Sequence, residues 1–159
     1  MIDTHCHLEM HQFDDDRRAV IERAHAAGIE CMITIGSNLK SCDAAVSLTQ
    51  TYNSIYAAVG LHPHDAHEYN HSAHQHISEL ACFTRVVAIG EIGLDYYYDH
   101  SPRDVQRAVF AKQLALAQQV GLPVIIHSRD AAHDILSILE DSGVRRGVMH
   151  CFSGDIFMG

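Results

Sequence analysis

Short apolar runs recur along the chain, and each is followed directly by a glycine or a histidine. The runs cover residues 1–4, 31–35, 55–59, 86–89, 124–126 and 147–149. Runs that are mostly apolar are typical of parallel strands buried on both faces of a sheet. Because helical patterns lie between several of these runs, the chain is predicted to form βαβ units and one parallel sheet.

Predicted helices follow the first, fourth and fifth runs, and they stop at Gly28, Gly121 and Gly143. Candidate N-caps are Asp14 or Asp15, Ser101 ahead of Pro102, and Asp130. The sequence contains no internal repeat, linker or low-complexity tract, so residues 1–159 are expected to form a single α/β domain. A complete (β/α)₈ barrel takes roughly 200 residues or more. The length of 159 residues therefore excludes a full barrel.

The chain is acidic, with 11 Lys and Arg against 20 Asp and Glu and a formal charge of −9. Such a chain does not coat a nucleic acid electrostatically, but it can contact one or two phosphates through bound cations. The sequence has no apolar run near the roughly 18 residues of a membrane span, and its N-terminus does not resemble a signal peptide. We therefore expect a cytoplasmic protein with no membrane partner.

The five cysteines form no CxxC pair, which predicts reduced thiols. Cys6 and Cys151 each adjoin a histidine, so either one is a candidate metal ligand. Free cysteine is mostly an interior residue, and we therefore favour buried structural thiols at both positions.

Histidines and a carboxylate stand where predicted strands end, which is where α/β barrels build their sites. His5 and His7 lie two residues apart at the first strand, and such residues project from the same face of an extended segment. The two imidazoles can converge on one metal ion, or they are unrelated. Glu91 follows the fourth strand, where it can bridge two cations or be an exposed loop acid. Gly90 and Gly93 on either side allow a close backbone approach.

His127 and His150 end the fifth and sixth predicted strands. Taken singly, each can be a core histidine with satisfied hydrogen bonds. Taken together with His5, His7 and Glu91, they form a pattern suited to one or two hydrolytic divalent ions. Imidazole with carboxylate suits Zn²⁺, whereas Mn²⁺ and Mg²⁺ prefer more oxygen ligands, so the identity of the ion stays open.

Further polar residues stand near this predicted site. His62 and His64 follow the third strand, where they can contact a substrate or be solvated turn residues. Arg129 can clamp an anionic group such as a phosphate, or pair with an acid such as Asp130. Asp95 can orient a metal ligand through a hydrogen bond, or cap the helix that follows.

These motifs together resemble the TatD family of metal-dependent deoxyribonucleases, within the amidohydrolase-like barrels. The matching segments are IDTHCH (2–7), GLHPH (60–64), GEIGLD (90–95), IHSRD (126–130) and HCFSG (150–154). The resemblance implies a TIM-type (β/α) barrel, two divalent metal ions (Mg²⁺, Mn²⁺ or Zn²⁺) and hydrolysis of phosphodiester bonds in DNA. Family members are similar to 3′-to-5′ exonucleases that act on single-stranded DNA in repair or fragmentation.

The resemblance also implies roles for individual residues, by position. It makes five residues metal ligands: His5, His7, Glu91, His127 and His150. Glu91 would bridge the two ions and carry catalysis. Three residues would lie near the substrate phosphate: His62, His64 and Arg129. Asp95 would orient one of the metal-binding side chains.

The sequence departs from the family pattern at its end. Relatives continue for roughly another hundred residues, through two more βα units. Their last unit carries a Glu-Thr-Asp-Ala-Pro-like motif whose aspartate is a ligand, and this motif is absent here. A frameshift, an early stop or a deliberate truncation would leave this incomplete barrel of about six of eight βα units. We expect unpaired sheet edges that are prone to association, and a chain that is poorly stable, oligomeric or inactive.

Two alternatives to a deoxyribonuclease stay open. The same metal chemistry can hydrolyse another ester or amide, such as an aminoacyl-tRNA linkage, since a fold does not fix its substrate. The chain can also be a truncated metal-binding fragment without turnover.

Overall fold

The computed structural model describes residues 1–152, and within them six strands form one parallel sheet in chain order. The strands are β1 (Ile2–Cys6), β2 (Cys31–Ile35), β3 (Ile55–Val59), β4 (Val86–Asp95), β5 (Val124–Arg129) and β6 (Gly147–Met149). The helices are α1 (Arg17–Ala26), α2 (Leu39–Thr51), α3 (His71–Leu80), α4 (Arg103–Val120) and α5 (Ala132–Ser142). Short 3-10 helices cover His11–Phe13 and Pro63–Glu68. This alternation confirms the predicted α/β class.

The sheet is curled, as a TIM-type barrel requires. Neighbouring strands lie about 4.8 Å apart, so in a flat sheet β1 and β6 would stand roughly 24 Å from each other. Instead, the imidazole rings of His5 on β1 and His150 just after β6 stack with their centroids 3.5 Å apart. Six curled parallel strands confirm the predicted incomplete barrel. In the described residues, β1 and β6 each pair on one side only.

The main core lies between the sheet and the helices. The cross-strand pairs Ile89–Val124 and Ile92–Ile126 pack in one buried cluster with Phe110 of α4. Full burial of each large aliphatic side chain contributes about 1.5–3 kcal/mol. The other face of the sheet carries a smaller buried cluster: Ile35, Ala58, Ala88 and Ile125. Apolar packing on both faces explains why the strands are continuous apolar runs.

Three strands are longer than predicted at the ends that carry the candidate site residues. The predicted strands 31–35, 55–59 and 147–149 match β2, β3 and β6, whereas β1, β4 and β5 extend beyond their predicted ends. A Cβ on Gly90 would lie 2.7 Å from the Ile125 Cβ, and one on Gly93 would lie 2.0 Å from the His127 carbonyl oxygen. Glycine at both positions therefore allows β4 to pair with β5 as far as Asp95, the close approach that the sequence predicted.

The predicted helix ends are correct and the predicted caps are wrong. Helices α4 and α5 end directly before Gly121 and Gly143, which both adopt the left-handed conformation, and α1 ends two residues before Gly28. Helices α1, α4 and α5 instead begin after Asp16, Pro102 and Ala131, and none of these three makes a side-chain cap bond. The polar candidates Asp14, Asp15, Ser101 and Asp130 thus lie outside the N-cap positions.

The apolar pattern of the sequence does not mark helices α2 and α3. Their N-caps, Asn38 and Asn70, accept hydrogen bonds from the backbone N–H groups of Ser41 and Ala73. Asparagine at such a cap is the local signal that locates these helices. Residues 1–152 contain no helix that is long and apolar enough to cross a membrane.

Candidate metal centre

The carboxyl ends of the strands bring the predicted site residues to one cleft of about 520 Å³. The cleft is lined by His5, His7, His62, Glu91, His127, Ser128, Arg129, Asp130, His150 and Cys151. Asp95 lies behind His127 and also bonds to His64, with Nε2 of each imidazole within 3.0 Å of Asp95 Oδ2. Every site residue singled out in the sequence therefore lies in or beside one cleft.

Glu91 lies at the centre of the cleft, within β4 and not in a loop after it. Its side chain is only 5% exposed, so the alternative of an exposed loop acid is wrong. Oε1 lies 3.0 Å from His127 Nδ1, and Oε2 lies 3.4 Å from His5 Nε2. Burial alone raises the pKa of the Glu91 carboxyl, but the imidazoles of His127 and His5 outweigh burial and hold this pKa well below its usual range.

His127 lies between two carboxylates. Its Nδ1 contacts Glu91 Oε1 and its Nε2 contacts Asp95 Oδ2, both at 3.0 Å. Burial lowers the pKa of His127, but the hydrogen bonds and charges of Glu91 and Asp95 outweigh burial and raise this pKa above its ordinary value. Two buried carboxylates around one ring concentrate negative charge that a bound cation would neutralise.

His5 and His150 face each other across the open side of the curled sheet. Their rings are stacked, with an interplanar angle of 12°. Among the described residues, both ring nitrogens of His5 are buried without a hydrogen-bond partner, because the 3.4 Å approach of Nε2 to Glu91 Oε2 lacks hydrogen-bond geometry. An unsatisfied buried polar group costs about 1–3 kcal/mol, so its presence calls for an explanation such as an ion. Burial, together with the neighbouring His5, lowers the pKa of His150 and favours the neutral ring that binds metals.

Within residues 1–152, two groups of three residues place their ligand atoms within 4.8 Å of one another. The groups are His5, Glu91 and His150, and His62, Glu91 and His127. Each offers two imidazole nitrogens and a carboxylate oxygen, a donor set that suits Zn²⁺ and admits Mn²⁺. Glu91 belongs to both groups and, among the described residues, the ring nitrogens of His5 have no hydrogen-bond partner, so the chemistry of these residues fits a bound divalent metal.

His62 lies closer to the ion-binding groups than the sequence indicated. Its ring centroid is 4.4 Å from that of His127 and 4.4 Å from that of His64. Burial, reinforced by His127, lowers the pKa of His62 to about 3. A neutral imidazole at this position can donate a lone pair to a cation, a role that the sequence analysis had not assigned to His62.

His7 lies in the same cleft but outside both three-residue groups. Its Nδ1 is 3.1 Å from Glu9 Oε1, and the hydrogen bond with Glu9 raises the pKa of His7 despite burial. The buried Glu9 also accepts a 2.6 Å hydrogen bond from the Thr34 hydroxyl. The sequence analysis missed Glu9, although a carboxylate two residues after a candidate ligand is a partner that can orient its ring.

The surroundings of Arg129 and of two cysteines differ in part from those that the sequence predicted. In the described part of the chain, the Arg129 guanidinium packs against the rings of Tyr97 and Tyr98 and does not pair with Asp130. Cys151 is exposed and lines the cleft, so the prediction of a buried thiol is wrong there. Cys6 is half-buried and donates to the Ile33 carbonyl. The last residues of the HCFSG segment, 153 and 154, lie outside the described residues.

Comparison with known protein families matches this chain to one of them. The model of the family described as "TatD related DNase" matches residues 2–158. The chain belongs to this family. The resemblance drawn from the five sequence segments is thereby confirmed.

Curated relatives of this TatD-family chain include two bacterial proteins. It is 45% identical over 156 residues to the uncharacterized metal-dependent hydrolase YabD of Bacillus subtilis, covering 97% of this chain and 61% of YabD. It is 39% identical over 157 residues to the 3′-5′ ssDNA/RNA exonuclease TatD of a Rahnella species, covering 97% of this chain and 60% of that protein. The chain thus spans about 60% of the length of these relatives.

Solved structures confirm the barrel architecture. YJJV, a TatD homolog from Escherichia coli, superposes with a TM-score of 0.92 at 33% identity, over 99% of this chain and 62% of that one. The TatD-family hydrolase of Entamoeba histolytica gives a TM-score of 0.91 at 24% identity, over 99% and 60% of the two chains. The second likeness concerns the fold alone.

Proposed function

We propose that the chain is a metal-dependent deoxyribonuclease that shortens single-stranded DNA from its 3′ end. The observation that carries this proposal is the sharing of Glu91 by two adjacent three-residue groups. Pairs of cations held close together serve phosphodiester hydrolysis in many enzymes. The Rahnella relative is named as a 3′-5′ ssDNA/RNA exonuclease, and this name supports the choice of bond and direction.

In this proposal the cleft residues hold two divalent ions: Mg²⁺, Mn²⁺ or Zn²⁺. The proposed ligands are His5, His7, His62, Glu91, His127 and His150. Such ions, when bound, lower the pKa of a water molecule and neutralise phosphate charge. Asp95 holds the rings of His64 and His127 in place through hydrogen bonds. Arg129 and His64 are proposed to contact the phosphate.

Single-stranded DNA suits this cleft better than a duplex bound along its length. The formal charge of −9 leaves the chain without a broad basic surface. Affinity for a nucleic acid must then come from the cations of the cleft and from a few local contacts. Arg129 is the cationic side chain among the residues that line the cleft.

The proposal is tested with 5′-labelled single-stranded DNA incubated with Mg²⁺, Mn²⁺ or Zn²⁺ in turn, with an RNA strand as a second substrate. We expect shortening from the 3′ end that EDTA abolishes and that His127→Ala slows at least about 100-fold. The matched control is His133→Ala on α5, whose side chain is 95% exposed, and it should cleave at the wild-type rate.

Two results would contradict the proposed function. Metal binding in calorimetry without cleavage of either strand would identify a metal-binding fragment without turnover. Metal-dependent hydrolysis of an aminoacyl-tRNA linkage, with DNA left intact, would identify the other hydrolase activity that the sequence leaves open.

A further inference from the structure

Two tyrosines at the margin of the cleft are unusually accessible. The exposed fractions of Tyr97 and Tyr98 are 64% and 50%, and both residues lie on the turn that follows β4. Their rings meet edge to face with centroids 4.8 Å apart. Adjacent exposed aromatic rings beside a site are a common means of contacting a ligand that has flat faces.

The turn that carries these tyrosines is fixed by buried groups. The backbone N–H groups of Tyr97 and Tyr98 donate to Asp95 Oδ1 at 3.1 Å and 2.9 Å. The buried Gln106 accepts from the Asp95 N–H and donates to the Asp95 carbonyl. The other oxygen of Asp95, Oδ2, contacts His127 of the metal centre. One carboxylate therefore sets the position of the rings relative to the cleft.

Arg129 connects the two tyrosine rings to the cleft. Asp95 and Arg129 are register partners on β4 and β5, so the turn after β4 begins beside Arg129. The Arg129 guanidinium lines the cleft, and its carbon lies 5.4 Å and 5.2 Å from the ring centroids of Tyr97 and Tyr98. A cation that attracts phosphate thus lies between the proposed reacting centre and two aromatic rings.

We propose that Tyr97 and Tyr98 form a stacking platform for one nucleobase of a single-stranded substrate whose phosphate contacts Arg129. Because the two rings are perpendicular, the base stacks on the face of one ring and meets the other edge to face. This inference rests on the proposed function and specifies how the protein positions the DNA strand. Every nucleobase has a π-face, so stacking on tyrosine tolerates any sequence. A base in a duplex is already stacked between its neighbours and is not free to stack on protein. The platform therefore favours single strands.

The test measures binding by fluorescence anisotropy, with Mn²⁺ present, using a labelled thymidine pentamer with phosphorothioate linkages. A second pentamer has the same backbone with abasic sugars. We expect the wild-type chain to bind the thymidine strand about tenfold more tightly than the abasic strand. The Tyr97→Ala/Tyr98→Ala variant should lose this preference, and Tyr98→Phe should keep it.

The matched control is Phe83→Ala, which removes a ring that is 43% exposed just before β4, at the end of the strands opposite to the cleft. It should leave the base preference unchanged. If thermal unfolding shows that the double alanine variant does not fold, Tyr97→Leu/Tyr98→Leu keeps the apolar bulk without the π-faces and should also lose the preference.

Equal affinity of the wild-type chain for both pentamers, or an unchanged preference in the double variant, overturns the platform. Because the readout is binding, it separates the two proposals. A chain that prefers the thymidine strand but never cleaves DNA contradicts the nuclease alone. A chain that cleaves DNA without any base preference contradicts the platform alone.

Discussion

At the scale of single residues, Asp95 organises much of the site. Its buried carboxylate accepts hydrogen bonds at both oxygens, from the turn after β4 and from two imidazoles. Burial raises the pKa of Asp95, but the backbone N–H of Tyr98 and the imidazoles of His64 and His127 outweigh burial and lower this pKa to about 2. Asp95 is therefore ionised across the ordinary range of pH, and its charged carboxylate is the acceptor in four side-chain hydrogen bonds.

We predict that Asp95→Asn lowers the free energy of unfolding by about 2 kcal/mol, measured by urea denaturation. The amide oxygen can still accept from Tyr97 and Tyr98, but the amide nitrogen places a donor where the imidazoles donate. Asp43→Asn is the control, since that side chain is 56% exposed and bonds only to His76 among the described residues. An equal loss in both variants would contradict the role given to Asp95.

The sequence located most of the candidate site because its residues end apolar runs. His5, Glu91, His127 and His150 lie near strand ends, and parallel strands end at one edge of a sheet. The place of His62 beside His127 could not be predicted, because it depends on how the segment after β3 folds over β5. No local pattern encodes that contact.

At the scale of elements, the pairing of β4 with β5 explains why one prediction from the sequence is correct and another is wrong. The glycines at 90 and 93 correctly indicated a close approach of backbones. The same glycines suggested that the strand ends at residue 89, whereas β4 continues through Asp95. Pairing with a neighbouring strand overrides the weak strand propensity of glycine and acidic residues.

We predict that Gly93→Ala lowers the free energy of unfolding by about 3 kcal/mol or more, measured by urea denaturation. Gly93 has a φ of +142°, and an added Cβ would lie 2.0 Å from the His127 carbonyl oxygen, a backbone atom. Gly121→Ala is the matched control, because Gly121 has a φ of +73° with open space around the added Cβ. Its cost should be about 1 kcal/mol, and a similar cost at both glycines would contradict the close packing of β4 on β5.

At the scale of the whole molecule, the curled sheet has two edges in residues 1–152, at β1 and β6. The two open edges were predicted from the number of strands, because six strands do not close an eight-stranded barrel. Apolar side chains lie on both edges, where Ile2 is 60% exposed and Val148 is 49% exposed. Unpaired edges of this kind promote association between chains.

We predict that the 159-residue chain self-associates as its concentration rises, measured by light scattering coupled to size-exclusion chromatography. Val148→Lys should weaken this association about tenfold, since a charge on an edge strand opposes pairing. Phe83→Lys is the control, because it places the same charge at an exposed apolar position away from both edges. A monomer at all concentrations would contradict association through the sheet edges.

The stacked pair of His5 and His150 has a consequence for how the chain is made. The two residues are 150 − 5 = 145 positions apart, yet their rings are in contact. A ribosome adds roughly 5–20 residues per second, so His150 is synthesised on the order of 7–30 s after His5. During that interval the nascent chain carries an imidazole whose stacking partner does not yet exist. The cleft is therefore completed only after His150 has been synthesised, and an ion held by both residues would bind only nascent chains that extend at least that far.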